Sequence, residues 1–376
     1  MSEPMNEQKP EHEPQPELEH GQKNVHDDEH EAEPDQPEAD EADAEEGDFE
    51  DADFDESDDA DEDEDDGGDA SEPAAAYTGD HRCGFAALVG RPNVGKSTLM
   101  NALLERKLSI VTPKPQTTRH RIVGILNTDA YQIAFVDTPG IHSGQKRALN
   151  QAMNRSALAS LDDSDVLVFV VEALRFTDED ERVLTRIKST GRPAILVVNK
   201  VDRVTPRERL LPFMAQMAER HPFVDVVPLS ARRHGEAQRL ASVIAKHLPA
   251  SPPLYPPDQV TESSPQFLAT EIIREKLTLQ THEELPYGLT VEIEQWTTDE
   301  ETGRFIVGAV IWVEREGQKA IVIGDQGGRL KEVGRAARYD LNELLGKRIH
   351  LELWVKVKEN WADNANQLRR FGYDSA

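Results

Sequence analysis

Two glycines, a lysine and a hydroxyl, spaced as in Gly90-Arg91-Pro92-Asn93-Val94-Gly95-Lys96-Ser97, are the groups that a bound polyphosphate requires. Backbone N–H groups approach phosphate most closely where no Cβ intervenes. A lysine ammonium neutralises the β- and γ-phosphates, and a hydroxyl at a helix start can reach Mg²⁺. The apolar run 85–89 precedes this loop and the helical pattern 98–104 follows it, which is the strand-loop-helix setting the chemistry needs. Further on, the run 132–136 leads into Asp137-Thr138-Pro139-Gly140, a DxxG pattern. There Asp137 would hold the metal through water and the Gly140 N–H would meet the γ-phosphate, so the segment behind it should rearrange when that phosphate leaves.

Base choice is written separately. The run 194–198 ends in Asn199-Lys200-Val201-Asp202, an NKxD pattern. An ionised Asp202 only accepts hydrogen bonds, and guanine offers it two donors on one edge where adenine offers none to match. Lys200 can lay its stem over the base, and Ser230-Ala231-Arg232 matches a loop whose Ala231 N–H would face the guanine O6. The expected nucleotide contacts are therefore Gly90, Asn93, Val94, Gly95, Lys96, Ser97, Thr98, Asp137, Thr138, Pro139, Gly140, Asn199, Lys200, Asp202, Ser230, Ala231 and Arg232, with Lys96, Asp137 and Gly140 nearest the reacting phosphate.

These loops need a scaffold that brings strand ends together. From about 82 to 249 strand-like and helix-like runs alternate: strands near 84–89, 122–127, 131–137, 165–171, 193–198 and 223–229, helices near 97–104, 147–161, 178–189, 206–219 and 235–247. That alternation predicts an α/β fold, a mostly parallel sheet with helices on both faces and its ligand at the strand C-termini. Thr205, Pro206 and Glu208 read as N-cap, first helical residue and capping-box partner of the helix at 206–219. The prolines of 249–257 stop regular structure, giving a G domain at 81–250, a linker at 251–264 and a second domain at 265–376. In that domain a helix near 266–279 precedes strand-like segments 287–296 and 304–314 around the turn-like 299–303. The run Ala320–Ile323 scores as strand by propensity, Gly324-Asp325-Gln326-Gly327 follows, and then a helix over 328–345 and a strand over 349–357.

Charge is uneven along the 376 residues. The formal charge is −30, yet residues 1–80 carry 35 acidic residues against 2 lysines, so the remainder holds a small positive excess. Residues 1–80 have too few apolar groups to offset the entropy of ordering and read as a disordered acidic tail. No run approaches a membrane span, and the single Cys83, a small residue at a strand start, fits a reducing cytosol. Residues 265–376 carry 15 basic against 19 acidic residues, although 327–358 locally has 8 against 4.

Over residues 82–376 the sequence resembles the Era-like ribosome-assembly GTPases of the TrmE-Era-EngA-Septin-like class. The resemblance rests on Gly90–Ser97, Pro115–Gly124, Asp137–His142, Asn199–Asp202, Glu271–Lys276, Glu314–Lys319 and Leu351–Lys358. It implies a GTPase that binds GTP and GDP with Mg²⁺, joined to a type II α+β KH domain that grips the 3′ end of small-subunit (16S) ribosomal RNA and assists maturation of the 30S subunit. It implies that Thr117 or Thr118 completes the Mg²⁺ shell beside Ser97 and Asp137, that Asn93 holds K⁺ near the phosphates, and that the stretch before Gly324 is a short helix. RNA contacts are expected from Gly324, Asp325, Gln326, Gly327, Arg329, Lys331, Arg335 and Arg338, in a cytoplasmic monomer with peripheral association with the inner membrane.

Two departures stand out. Ile141 and His142 follow DxxG where Ras-like proteins place a glutamine that orients water, and Asp325-Gln326 replaces a lysine-rich pair in the GxxG loop. The first allows a nucleotide-sensing module with vestigial hydrolysis. The second allows a GTPase that acts at a membrane or on a protein partner, with the KH domain as docking surface. Tandem-domain relatives that end in a KH-like unit are disfavoured, since the chain has one P-loop and one NKxD. Trp354 and Trp361 could stack on bases, with core packing the ordinary alternative.

Overall fold

The structure is a computed structural model that describes residues 79–141, 147–281 and 288–373. The acidic tail up to residue 78, together with His142, lies outside the described residues.

In the first half, β1 (Arg82–Val89), α1 (Lys96–Leu104), β2 (Ile122–Asn127), β3 (Tyr131–Asp137), α2 (Ala148–Asp162), β4 (Val166–Glu172), α3 (Asp178–Thr190), β5 (Ala194–Asn199), α4 (Leu210–Ala218), β6 (Asp225–Pro228) and α5 (His234–Ala245) follow in order. The sheet runs β2-β3-β1-β4-β5-β6. Only β2 is antiparallel to its neighbour. The central strands are continuous apolar runs because both faces are covered. Leu88, Phe135, Val168 and Ile195 pack with Leu99 and Leu103 of α1 and Leu240 of α5, while Val89, Phe169 and Leu196 pack with Val183, Leu184 and Ile187 of α3. Parallel strands end on the same side, so the loops after β1, β3, β5 and β6 meet along one edge.

The helix start at Thr205 differs from the expectation. Thr205, Pro206 and Glu208 do not start a capped α-helix: Pro206 is extended (φ −72°, ψ 157°), residues 207–209 form a 3₁₀ turn with no side-chain cap, and α4 begins only at Leu210. The proline-rich segment 251–264 contains no helix or strand, and it packs on the first half. Cys83 N donates to Pro249 O (3.2 Å), Leu254 N and Tyr255 N to Gln132 Oε1 (2.7 and 2.9 Å), and Ile125 N to Val260 O (2.9 Å). The segment thus finds its partners along β1, β2 and the Gln132 side chain. Cys83 itself is buried at its strand start.

The second half begins with α6 (Pro265–Gln280), where Ser264 Oγ accepts from Phe267 N at 3.2 Å and Pro265 takes the first turn. It continues with β7 (Leu289–Thr298), β8 (Phe305–Val313), α7 (Glu316–Ile323), α8 (Gly328–Leu345), β9 (Ile349–Val357) and α9 (Ala365–Arg370). The sheet runs β7-β8-β9, antiparallel then parallel. Its core joins Ile273 and Leu277 of α6 to Val333, Ala337 and Leu341 of α8. Residues 320–323 are helical despite their β-branched composition, because Gln318 Oε1 accepts from Glu314 N and Arg315 N (2.8 and 3.1 Å) and fixes the helix start. Trp361 is core, its Nε1 donating to Gly288 O (3.2 Å), whereas Trp354 is 44% exposed.

Candidate functional site

Where the strand ends meet, a cleft of about 410 Å³ is lined by Asn93, Gly95, Lys96, Ser97, Thr98, Thr117, Thr118, Gly140, Asn199, Lys200, Asp202, Ser230, Ala231 and Arg232, among others. Gly90 and Gly95 adopt φ of 154° and 104°. A Cβ on Gly90 would stand 2.5 Å from Val170 O, and one on Gly95 would stand 2.4 Å from Asn199 Nδ2. Only glycine gives the loop this close fit. Val94 is buried, and its carbonyl accepts from Asn199 Nδ2 at 2.8 Å. Lys96 is aimed across the loop, its Nζ donating to Gly90 O (3.0 Å) and Arg91 O (3.2 Å). Burial pushes its ammonium down to about 8, an effect only partly opposed by the Asp137 carboxylate. A bound polyphosphate would supply the missing counter-charge.

Asp137 is fully buried at the end of β3, and desolvation raises its carboxyl. Its Oδ1 has no hydrogen-bond partner among the described residues. Close by, Ser97 Oγ lies 2.8 Å from Thr118 Oγ1, which donates to Asp137 Oδ2 at 3.4 Å. An all-oxygen donor set around an orphaned carboxylate oxygen fits a hard divalent cation. Of the two candidate threonines, Thr118 faces this group. Thr117 does not: its Oγ1 turns to Lys114 O and Thr112 Oγ1, both at 2.6 Å. Thr138 and Pro139 are buried as backing, with Thr138 Oγ1 donating to Leu88 O (3.0 Å), and Gly140 packs where a Cβ would meet Pro92 N at 2.8 Å.

The loops after β5 and β6 are tied together by Asn199. Besides its bond to Val94 O, its Oδ1 accepts from Lys200 N (2.7 Å) and Ala231 N (3.0 Å). The Ala231 N–H is therefore engaged within the protein here rather than facing the cleft, because the asparagine amide spans both loops. Lys200 Nζ donates to Asn93 O at 2.7 Å. Asp202 is exposed, and a hydrogen bond from Ser230 holds its carboxyl below the usual range, keeping it an acceptor. Arg232 is exposed at the rim. Asn93 Nδ2 donates to Pro113 O (3.0 Å) and so ties the P-loop to the segment before Thr117.

Some functional side chains escaped the motif reading. Arg91 is buried, and its guanidinium donates to Asp180 Oδ2 (3.0 Å) and Glu172 Oε2 (2.8 Å), with Glu172 also 3.2 Å from Lys200 Nζ. This ion network joins the P-loop to α3 and to Lys200. The only signal in the sequence was the capping pair Thr177/Asp180 at the start of α3.

A second set joins residues 107–121 to the KH half. Arg274 and Glu271, 2% and 1% exposed, pair at 2.8 and 2.5 Å, and Arg274 Nη2 also donates to Thr117 O (2.6 Å). Val111 N donates to Glu275 Oε1 (2.9 Å), and Lys107 bridges Glu275 and Asp340. Arg119 donates to Leu289 O (2.8 Å) and Tyr373 OH (3.4 Å), while His120 stacks on Tyr373 with centroids 4.3 Å apart. Burial pushes His120 down to about 4, so its ring is neutral in this packing.

In the KH half, the GxxG loop keeps Gly324 and Gly327 at φ of 72° and 75°. Arg329 spends a guanidinium donor on Ile321 O, the last turn of α7. Lys331, Arg335 and Arg338 are exposed along α8.

Together, the four loops at the strand ends and the α+β unit beyond them define a P-loop GTPase carrying a KH domain. A family model described as 50S ribosome-binding GTPase matches residues 85–200, and a KH domain model matches 284–362. GTPase Era of Yersinia pestis and that of Yersinia pseudotuberculosis are each 50% identical over 291 residues, covering 77% of this chain and 96% of theirs. The crystal structure of a point variant of Aquifex aeolicus Era bound to GDP·AlF4⁻ superposes with a TM-score of 0.76 at 39% identity, covering 78% of this chain and 99% of that one. Era in complex with MgGDPNP and nucleotides 1506–1542 of 16S ribosomal RNA gives 0.75 at 39% identity, with the same coverage. The chain belongs to the Era family of GTPases, and its reaction is hydrolysis of GTP to GDP and phosphate.

Proposed function

We propose that this GTPase holds the 3′ end of small-subunit ribosomal RNA in its KH groove during 30S maturation, with the grip set by the nucleotide. The observation that carries the reading is the hydrogen bond from Arg274 to Thr117 O, one residue from the Thr118 hydroxyl that faces Ser97 and Asp137. A change at the γ-phosphate is thereby one backbone step from the first helix of the KH half. Ser97, Asp137 and Thr118 would hold Mg²⁺, whose bound charge offsets that of the β- and γ-phosphates. Lys96 balances phosphate charge, Gly140 N–H addresses the γ-phosphate, and Asp202 reads the base.

Gly327→Asp tests the RNA half. A Cβ at Gly327 meets nothing within 4 Å, and aspartate tolerates positive φ better than most residues, so the fold should persist. The added charge stands where a phosphate must approach. RNA affinity in filter binding with a 3′ ribosomal RNA fragment should fall at least about ten-fold while GTP binding is unchanged. Parent-like RNA binding by the folded variant would remove the KH reading.

The same proposal includes K⁺ held through Asn93, so hydrolysis should run faster in KCl than in NaCl at equal ionic strength, and equal rates would reject the ion. It also includes a cytoplasmic monomer touching the inner membrane only peripherally. Among the described residues no helix is long and apolar enough to cross a membrane. Sedimentation and salt-washed membrane fractions test both points.

A further inference from the structure

On α8, Lys331, Arg335, Arg338 and Asn342 recur at steps of four, three and four and therefore share one face, starting beside the GxxG loop. Arg338 stands about 16 Å along the helix from Gly327. There the stripe runs into a concavity of about 270 Å³ lined by Arg304, Arg338, Asn342, Arg348, Ile349 and His350. The three arginines come from three elements: the β7–β8 turn, α8, and the approach to β9. No carboxylate lines this concavity, and among the described residues none of the three guanidinium groups makes a hydrogen bond or a salt bridge, although the charge of Arg304 helps hold the nearby Asp299 carboxyl low. Two carboxylates flank the concavity: Asp299, whose Oδ1 accepts from Thr302 N (2.7 Å), and Glu352, which pairs with His350 of the lining (3.1 Å). Asn342 Oδ1 accepts from Ile349 N (2.9 Å), which fixes the carboxamide at the rim.

We propose that this triple-arginine pocket is a second phosphate grip, taking the RNA backbone as the strand leaves the GxxG loop along α8. The inference rests on the KH reading above and extends it to a site beyond the loop. Three guanidinium groups that form no salt bridge and converge on one cavity match phosphate, which they can bind bidentately. An RNA strand is favoured as the source because the cationic face of α8 leads from the GxxG loop directly into the pocket. The loop itself offers Asp325 and Gln326, and Arg329 is engaged with Ile321 O, so the cations a phosphate needs stand at the other end of the helix.

The test uses the full chain and two RNAs from the 3′ end of small-subunit ribosomal RNA. One of about six nucleotides satisfies the loop, which clamps about four, and one of about fourteen reaches the pocket. The variant Arg304→Gln/Arg338→Gln/Arg348→Gln alters only exposed side chains. It should bind the long RNA about ten-fold more weakly and lower its log–log salt slope by about 0.7 unit, the value for one phosphate contact on a single strand. Binding of the short RNA should be unchanged, and the triple lysine variant should regain the slope. Parent-like affinity and slope for the long RNA would overturn the pocket while leaving the KH reading intact. Equal losses on both RNAs would also overturn it, as would loss of binding to phosphatidylglycerol vesicles with RNA binding preserved. If neither RNA binds the parent, the KH reading falls and the pocket with it.

Discussion

Lys96→Ala should bind GTP about a hundred to ten thousand times more weakly than the parent. The ammonium is pre-aimed by Gly90 O and Arg91 O, so little ordering is left to be done when phosphate arrives. A hydrogen bond to a charged group contributes about 1.5–3 kcal/mol, and this ammonium serves two phosphates, giving about 3–6 kcal/mol in all. At about 1.4 kcal/mol per decade that is the stated range. The side chain lies at the cleft wall, with the core of the sheet behind it, so circular dichroism should report an intact fold. Titration with a fluorescent GTP analogue measures the effect. A folded variant that binds within about three-fold of the parent would mean that the phosphates lie elsewhere.

The loops that meet at the cleft were legible in the sequence because each is one short segment of distinctive residue types placed at a strand end. Gly90, Gly95, Asp137 and Asp202 needed no partner from another part of the chain to be recognised. What stayed hidden joins distant residues. Arg91 meets Asp180 and Glu172 across 89 and 81 positions, and Arg274 meets Thr117 across 157. Read singly, each is a charged residue with an ordinary solvated alternative, and only the fold shows that Arg91 and Arg274 are buried. The choice between Thr117 and Thr118 failed for a related reason. Adjacent hydroxyls are equivalent in sequence, and the direction of each is set by Lys114 O on one side and Ser97 on the other.

Local propensity misled twice, and in both places a cap or turn decided the outcome. Residues 320–323 read as strand, yet the Gln318 carboxamide returning to Glu314 N and Arg315 N commits them to α7. At Thr205-Pro206 the residues of a capping box are present, but the chain first makes a 3₁₀ turn, so the box has no helix to close on. The proline-rich linker 251–264 is irregular, as its composition implies. Prolines predict the loss of regular structure there, and they do not predict where the remaining N–H groups of 251–262 find acceptors.

Arg274→Met should be the most destabilising single change at the junction of the two halves. It leaves Glu271, 1% exposed, without the guanidinium that holds its carboxyl low, and it strips a donor from Thr117 O. Removing one partner of a buried pair costs about 3–5 kcal/mol, because the other charge is stranded. For a chain of this size that lowers the melting temperature by roughly 10 °C. Glu271→Leu/Arg274→Met removes both charges and should recover most of the loss, since apolar groups of similar volume replace a buried pair at little net cost. Stability and coupling then separate. The double variant keeps its P-loop and its GxxG loop but lacks the bond from α6 to the backbone beside Thr118. Its RNA affinity should therefore differ less between GDP and a GTP analogue than the parent's does. Calorimetry and filter binding on the three proteins decide the matter. If Arg274→Met melts with the parent, the pair is not a buried load on the junction, and if the double variant keeps the parent's full nucleotide dependence, the signal reaches the KH half by the Val111–Glu275 and Arg119–Leu289 contacts instead.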